Sequence, residues 1–441
     1  MNKLIFGKTN MLTNLAVVKT AISKQTKLPI LSAVKIETTD DSTFKMVCTD
    51  LEMAVTAHLS GFSDGTVFTA INVAYLESIL GIFKSDTITL EQGVDSVVMF
   101  DAETRLTLNK DMVNDAFDFP TVPERDTTAQ DLGNVSACCL TRAFKKLLKY
   151  VSSDEGRIAL TGVFFEADQT AGTLTAVATD THRLIAVPIQ WEQLPPRVNA
   201  VSKKVGMKKI FQRNELDEIM CDGNGREIVL REEEQFEDVN VTENLLIPAI
   251  VIKRLKLGKS MVRVFKNDRN DVMFAYDNIV ISMKQIDANY PPFRRVIPTE
   301  RDNMMKADRG IFIDMVTRLT KVLKITDISK MVMFANDEEQ YIGTADGSVK
   351  MKMSPEFFQF DFAWYRNINT ETGKAHMSRV PELENNEIVP FRYGINNTFL
   401  LDALSMVDSE KVILRFADCD GLNPILIEDG DEKHVIMPMQ I

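Results

Sequence analysis

The residues best placed to do chemistry lie in one short run, Thr179, Asp180, His182 and Arg183 of ATDTHRLIAV. A carboxylate two positions from an imidazole is an acid–base couple if both converge on a pocket. On a strand, i and i+2 share a face, so this pair meets only locally. Asp-Thr is also turn chemistry, which lets the backbone reverse before RLIAV. A structural or recognition role is therefore the stronger expectation, and no catalytic residue is assigned. The other histidines, His58, His376 and His434, are scattered. Cys48, Cys138, Cys139, Cys221 and Cys419 lack metal-ligand spacing and any disulfide framework, and read as reduced thiols of a cytosolic protein. The sequence has no Gly-rich phosphate loop, GxSxG or HExxH. Neither a metal nor a cofactor is expected.

Phosphate contact is the second chemistry on offer. In residues 141–151, Arg142, Lys145, Lys146 and Lys149 fall at i, i+3, i+4 and i+7, opposite Phe144, Leu147, Leu148 and Val151. Arg318, Lys321 and Lys324 line a second helix against Phe312, Leu319, Val322 and Leu323. A third stretch carries Lys253, Arg254, Lys256 and Lys259, and a weaker one Lys19, Lys24 and Lys27. A solvated face in an acidic protein normally mixes signs, so these nearly acid-free faces point to sequence-independent, salt-sensitive contact with nucleic-acid phosphates. No helix-turn-helix, zinc-finger or stacking-aromatic signature suggests base readout.

The elements that must position these residues recur. Each of three units has a helix-like segment, alternating strand-like runs around a Thr/Ala/Asp turn, a second helix, more strands and a Pro-containing close. The first helices are 10–22, 141–151 and 310–325; the second are 72–84, 247–258 and 395–407. The closing segments are FDFPTVP, ANYPPFRRVIP and VIMPMQI. Polar, turn-rich stretches at 126–134 and 299–308 divide the chain into an α+β unit at 1–126, a second at 127–300 and a third at 301–441. Insertions around 190–245, with the acidic run Glu232, Glu233 and Glu234, and around 355–392 are expected to be solvated loops, a subdomain or a partner surface.

At 441 residues, two to four domains are expected. A net charge of −12 counts against a uniformly nucleic-acid-binding surface but not against a local basic one, because exposed charges are screened over short distances. The N-terminus lacks signal-peptide character and no apolar run is long enough to span a bilayer. No membrane partner and a cytoplasmic setting (a bacterium or an infected host cell) are expected.

Four segments carry a family resemblance. ATDTHRLIAV resembles the ATDGHRLA segment of the bacterial DNA polymerase III beta subunit, the beta sliding clamp. KLPILSAV with TDLEMAV resembles that family's LPIL…TDLE pattern, YPPFRRVIP its inter-domain segment, and HVIMPMQI its C-terminus. The resemblance implies the DNA clamp fold: three repeated clamp domains per subunit, two subunits head to tail in a ring, helices lining the hole and sheets outside. The implied function is that of a non-enzymatic processivity factor that encircles duplex DNA and tethers the replicative DNA polymerase, after loading by an ATP-driven clamp loader. A clamp-like scaffold that does not encircle DNA and, behind it, a metal-dependent nuclease remain alternatives.

The family's peptide pocket lies between its second and third domains. The matching residues are Arg157, Leu160, Thr179, His182, Arg183 and Leu184; Pro291, Arg295 and Val296; Asn396 and Phe399; and Val435, Ile436, Met437, Pro438 and Met439. Val435–Met439 could instead be an ordinary last strand. Leu106 and Leu108 are candidates for the ring contact. Thr181 stands where the family usually has Gly, Val73 where it often has a DNA-contacting Arg, and Gln440-Ile441 where it ends Arg-Leu. These departures and the insertions suggest a divergent member, of bacterial or phage origin.

Overall fold

The computed structural model describes residues 2–23, 28–93, 96–108, 113–123, 129–168, 173–192, 201–211, 229–239, 243–299, 303–325, 330–336, 338–361, 365–368, 375–377, 386–388, 391–417 and 421–441. Lys24, Lys27, Cys221 and Cys419 lie outside them, as does the side chain of His376.

One order of elements recurs three times. A strand (Asn2–Gly7, Gln130–Ser136, Asn303–Asp308) leads into a first helix, α1 (Lys8–Val18), α3 (Ala137–Leu147) or α5 (Arg309–Ile325). A strand paired with its successor in a hairpin follows: Ala33–Thr38 with Thr43–Thr49, Gly162–Asp168 with Thr173–Thr179, Lys330–Ala335 with Gln340–Thr344. Across a tight turn comes a third strand, Met53–Ser60, Arg183–Glu192 or Lys350–Lys352. The next strand (Phe68–Asn72, Glu243–Pro248, Phe391–Asn396) returns beside the first of the hairpin and enters the second helix. These helices are α2 (Val73–Ile82), α4 (Ala249–Ile252) and α6 (Asn397–Met406). Three antiparallel strands close each set, ending in Arg105–Leu108, Ile279–Lys284 and Glu432–Ile436.

The sheets continue from unit to unit. Met53–Ser60 pairs with Ile279–Lys284, in register Val55↔Ile281, and Arg183–Glu192 pairs with Glu432–Ile436, in register Ile185↔His434. The third strand of one unit thus accepts the last strand of the next. Two edges of this kind are left over among the described residues, Arg105–Leu108 at one end and Lys350–Lys352 at the other.

Several sequence expectations need correction. Each unit opens on a strand, so the polar stretches at 126–134 and 299–308 run into ladders. The helix expected at 141–151 starts four residues earlier and ends at Leu147, which places Tyr150 beyond it and fully buried. The helix expected at 247–258 shrinks to Ala249–Ile252. Asn72 and Asn396 cap α2 and α6 through side-chain oxygens that accept two backbone N–H groups each, whereas Pro248 at the same position has no such oxygen. Its β-branched Ile-Val-Ile run adds no helix propensity to compensate. Around 190–245, Val201–Phe211 and Val229–Val239 form an antiparallel ribbon that contains Glu232–Glu234; around 355–392, Tyr365–Ile368 pairs with Ala375–Met377 and Asn386–Ile388.

The core lies between helices and sheets. On α3, Leu140, Phe144 and Leu147 are buried while Arg142 and Lys145 are exposed. Each such large apolar side chain contributes about 2 kcal/mol on burial. A smaller cluster of Val177, Leu184, Ala186, Leu426 and Val435 seals the second unit against the third, with Phe293 of the connecting segment inserted into it.

Candidate functional site

The Thr179–Arg183 segment is a turn built twice. Thr179 Oγ1 donates to Arg183 O (2.7 Å) and accepts from Thr181 N (3.2 Å). Asp180 Oδ1 accepts from the backbone N–H of His182 and of Arg183, both at 3.0 Å. In the first unit, Thr49 Oγ1 donates to Met53 O (2.9 Å) and accepts from Leu51 N (3.0 Å), and Asp50 Oδ1 accepts from Glu52 N and Met53 N. Thr181 (φ +78°) and Leu51 (φ +79°) both take the left-handed conformation that favours glycine. The occurrence of the same Thr-Asp scaffold without a histidine argues against Asp180 and His182 as an acid–base couple.

Arg183 holds the junction together. Its Nε donates to Asp180 Oδ2 (2.9 Å), Nη1 to Asp402 Oδ2 of α6 (2.7 Å) and Nη2 to Lys149 O (2.7 Å). The guanidinium lies over the rings of Tyr150 and Phe399, 5.0 and 4.4 Å from their centroids. Exposed His182 stacks on Phe399, 6.1 Å between centroids, and Arg157 Nη1 donates to Thr181 Oγ1 (3.3 Å). Asn396 caps α6 and so fixes Phe399, whose N–H it accepts (3.2 Å). The C-terminal segment crosses this rim: Met437 N donates to His182 O and Met439 N to Gly394 O, each at 2.8 Å. A Cβ on Gly394 would lie 2.2 Å from Met439 O, so only glycine admits that approach. Pro291, Arg295 and Val296 are exposed on the connecting segment, which Phe293 and the Phe164–Tyr290 stack (4.6 Å) hold in place.

Four of the expected peptide-binding side chains are floor rather than rim. Leu160, Leu184, Val435 and Ile436 are buried, because Val435 and Ile436 belong to the last strand and pair with Leu184 and Arg183. The strand ends at Ile436, and Met437, Pro438 and Met439 beyond it are half-buried. Thr179 is also buried, its hydroxyl committed to the turn. Asp402, Tyr150, Gly394, Phe164 and Tyr290 were not expected here; only Gly394, a glycine inside a strand, carried a readable signal of close backbone approach.

The basic residues divide between solvent and the junctions. Lys146, with 5% of its side chain exposed, donates to Asp408 Oδ2 (2.7 Å) and Glu432 Oε2 (2.5 Å) of the third unit. Arg142 also pairs with Asp408, and Lys149 lies 3.7 Å from Asp402. The face has no acid within its own helix, but acids from the third unit pack against it; Lys146 is not a phosphate ligand. Arg254 is likewise committed, to Asp50 Oδ2 (2.6 Å) and Ala21 O. Lys256 is exposed and reaches Ala16 O (3.3 Å), and Arg318 pairs with Asp314 one turn earlier. Lys145, Lys253, Lys321 and Lys324 are exposed. Of the expected ring-contact residues, Leu106 is half-buried and Leu108 is buried in its own core.

Asp408, Asp429 and Glu432 bring carboxylate oxygens within 4.8 Å of one another. Lys146 supplies the positive charge there, and it and Arg142 hold the Asp408 carboxyl below the usual carboxylate range. Nearby, buried His434 shares a hydrogen bond with the Tyr150 hydroxyl (2.8 Å), and its Nε2 has no partner among the described residues. Burial, helped by the Lys146 charge, pushes this imidazole down to about 4. The unfolded chain takes up this proton near the ordinary value of about 6.5, the folded chain only near 4. Stability is therefore lost as pH falls through that window, by up to about 3 kcal/mol. Melting temperature against pH should fall more steeply between pH values of about 6.5 and 4 in the wild type than in His434→Phe; parallel curves would exclude His434 as the source.

Comparison with known proteins agrees with this geometry. Residues 2–123 match the family model described as DNA polymerase III beta subunit, N-terminal domain. The beta sliding clamp of Helicobacter pylori is 22% identical over 436 residues, which span 98% of this chain and 95% of that protein. That of Caulobacter vibrioides is 22% identical over 452 residues and the full length of both. The DNA polymerase sliding clamp of Bacillus subtilis superposes with a TM-score of 0.70 at 16% identity, covering 100% of this chain and 99% of that one. The Helicobacter pylori beta clamp bound to a DNA ligase peptide gives 0.66 at 18%, covering 99% and 100%. The fold is the DNA clamp fold, an α+β architecture. The chain is thus similar over its full length to bacterial beta sliding clamps, and its first unit matches that family's N-terminal domain.

Proposed function

We propose that the chain is a DNA sliding clamp whose subunits close head to tail into a homodimeric ring around duplex DNA and tether the replicative DNA polymerase. The observation that carries this reading is the repeated junction: a third strand accepts the last strand of the following unit twice within the chain, and one donor edge and one acceptor edge of this kind remain among the described residues. Joining Lys350–Lys352 of one subunit to Arg105–Leu108 of the next applies the same rule a third time. A second copy then closes six units, divided as 1–126, 127–300 and 301–441 in each subunit. Helices line the hole, with Lys145, Lys149, Lys253, Lys256, Lys321 and Lys324 toward the phosphates, and such backbone contacts carry no sequence information. The rim of His182, Arg183, Phe399 and the C-terminal methionines receives peptides from the polymerase and the clamp loader, since soft side chains adapt to several sequences. The subunit works without catalysis of its own and without a cofactor, in the cytoplasm of a bacterium or an infected host cell. No described helix is long and apolar enough to cross a membrane.

Negative-stain class averages of the purified protein are the direct test. Closed rings with a hole wide enough for a duplex are expected; compact particles without a hole at every concentration, together with no retention on DNA, would favour a scaffold. Replacing Lys145 and Lys149 with Ala should weaken DNA retention and lower the slope of log affinity against log salt by roughly one for each phosphate no longer neutralised. An unaltered slope would remove α3 from the DNA path.

A further inference from the structure

The junction between the first and second units repeats the frame of the peptide rim. Lys284 N donates to Glu52 O (3.0 Å) where Met437 N donates to His182 O, and Ile286 N donates to Leu246 O (2.9 Å) where Met439 N donates to Gly394 O. Glu52 and His182 each stand three residues after the turn threonine, and Leu246 and Gly394 each two residues before the cap of the following helix. The connecting segment is held here too, Pro123 O accepting from the buried Ser282 hydroxyl (3.1 Å).

This frame encloses a groove of about 510 Å³. Leu51 and Met53 of the turn, Pro120 and Val122 of the connecting segment and Met283 of the last strand supply its apolar wall, and Leu51 is exposed. The rim differs from that of the other junction. Glu52 stands in the place of His182 and Lys284 in the place of Met437, while Val251, buried three residues after its cap, offers no ring of the kind Phe399 presents. Arg269 and Asp287 add one charge of each sign. All four charged side chains are exposed, and none has an ion-pair partner among the described residues.

Resting on the peptide rim proposed above, we propose that this groove is a second peptide-docking site, which takes an extended segment carrying an apolar residue between a basic and an acidic one. Two charges of each sign leave the groove neutral, so a peptide of one sign meets repulsion and attraction together. A mixed-charge segment pairs its basic residue with Glu52 and its acidic residue with Lys284, while the apolar residue covers Leu51. An apolar peptide finds no ring here and leaves both charges unpaired, so the two junctions of one subunit select different partners.

The test is methyl NMR of the full chain labelled at its methionines, because Met53 and Met283 line this groove whereas Met437 and Met439 line the other rim. The probes are synthetic peptides with the cores Lys-Leu-Asp and Asp-Leu-Lys, which cover both chain directions, the single-sign cores Lys-Leu-Lys and Asp-Leu-Asp, and a polymerase-tail peptide. One mixed-charge peptide should shift the Met53 and Met283 signals at a concentration roughly tenfold lower than either single-sign peptide requires. The double variant Glu52→Lys with Lys284→Glu, which alters only exposed side chains, should exchange the preference between the two mixed-charge peptides. Equal affinity for all four charged peptides, or a preference that the double variant does not reverse, overturns the proposal. Met53 and Met283 signals unmoved by every peptide, while Met437 and Met439 respond to the polymerase tail, overturn the second groove and leave the peptide rim standing. Silence at both junctions overturns the rim reading as well.

Discussion

Replacing Lys146 with alanine will destabilise the folded chain by about 3–5 kcal/mol, far more than loss of a surface lysine. The ammonium is almost wholly buried and bonded to Asp408 and Glu432, with Asp429 close by. Removing it leaves carboxylates of the third unit facing one another with, among the described residues, the exposed Arg142 to offset them. Lys146→Met fills the space without supplying charge and should fare little better. Lys146→Met combined with Asp408→Asn and Glu432→Gln removes the uncompensated charge and should recover much of the loss. Urea unfolding of the single and triple variants checks this. A Lys146→Ala midpoint indistinguishable from wild type would mean that the junction is open to water in solution.

Deletion of residues 437–441 should reduce binding of a polymerase-tail peptide by at least about 100-fold while costing the fold only about 1–2 kcal/mol. The asymmetry follows from the geometry. The strand ends at Ile436, so the core keeps Val435 and Ile436; the deleted residues contribute two backbone–backbone hydrogen bonds, another from Lys330 Nζ to Gln440 O, and a half-buried Met-Pro-Met rim. Fluorescence anisotropy with a labelled peptide, alongside thermal melting, measures both. Peptide affinity that survives the deletion would place the pocket elsewhere, and loss of the fold itself would make the terminus structural.

The contrast between α5 and α4 shows what local pattern can reveal. The apolar positions of α5 have regular helical spacing and the helix forms where they place it. Residues 247–258 have a similar pattern, yet the helix stops at Ile252, where Pro248 offers no cap acceptor and the Ile-Val-Ile run is β-branched. Basic faces were legible as charge and illegible as environment, because Asp402, Asp408 and Glu432 reach α3 from more than 250 residues away. Within the candidate site, the Thr-Asp turn was visible in the residues; its duplication at Thr49–Met53 and the left-handed Thr181 needed coordinates. The approach of Met439 to Gly394 depends on a tertiary path that no spacing rule encodes.

A chain that offers a donor edge at one end and an acceptor edge at the other is, geometrically, a monomer capable of unlimited polymerisation. Head-to-tail contacts give a closed ring only when the turn per subunit sums to a full circle; otherwise they give a helical filament. That turn is set inside the subunit, where Arg254 meets Asp50 and Lys146 meets Asp408 and Glu432. In the proposed ring, a small change of angle at either junction would alter how many copies close the circle, or whether one closes at all.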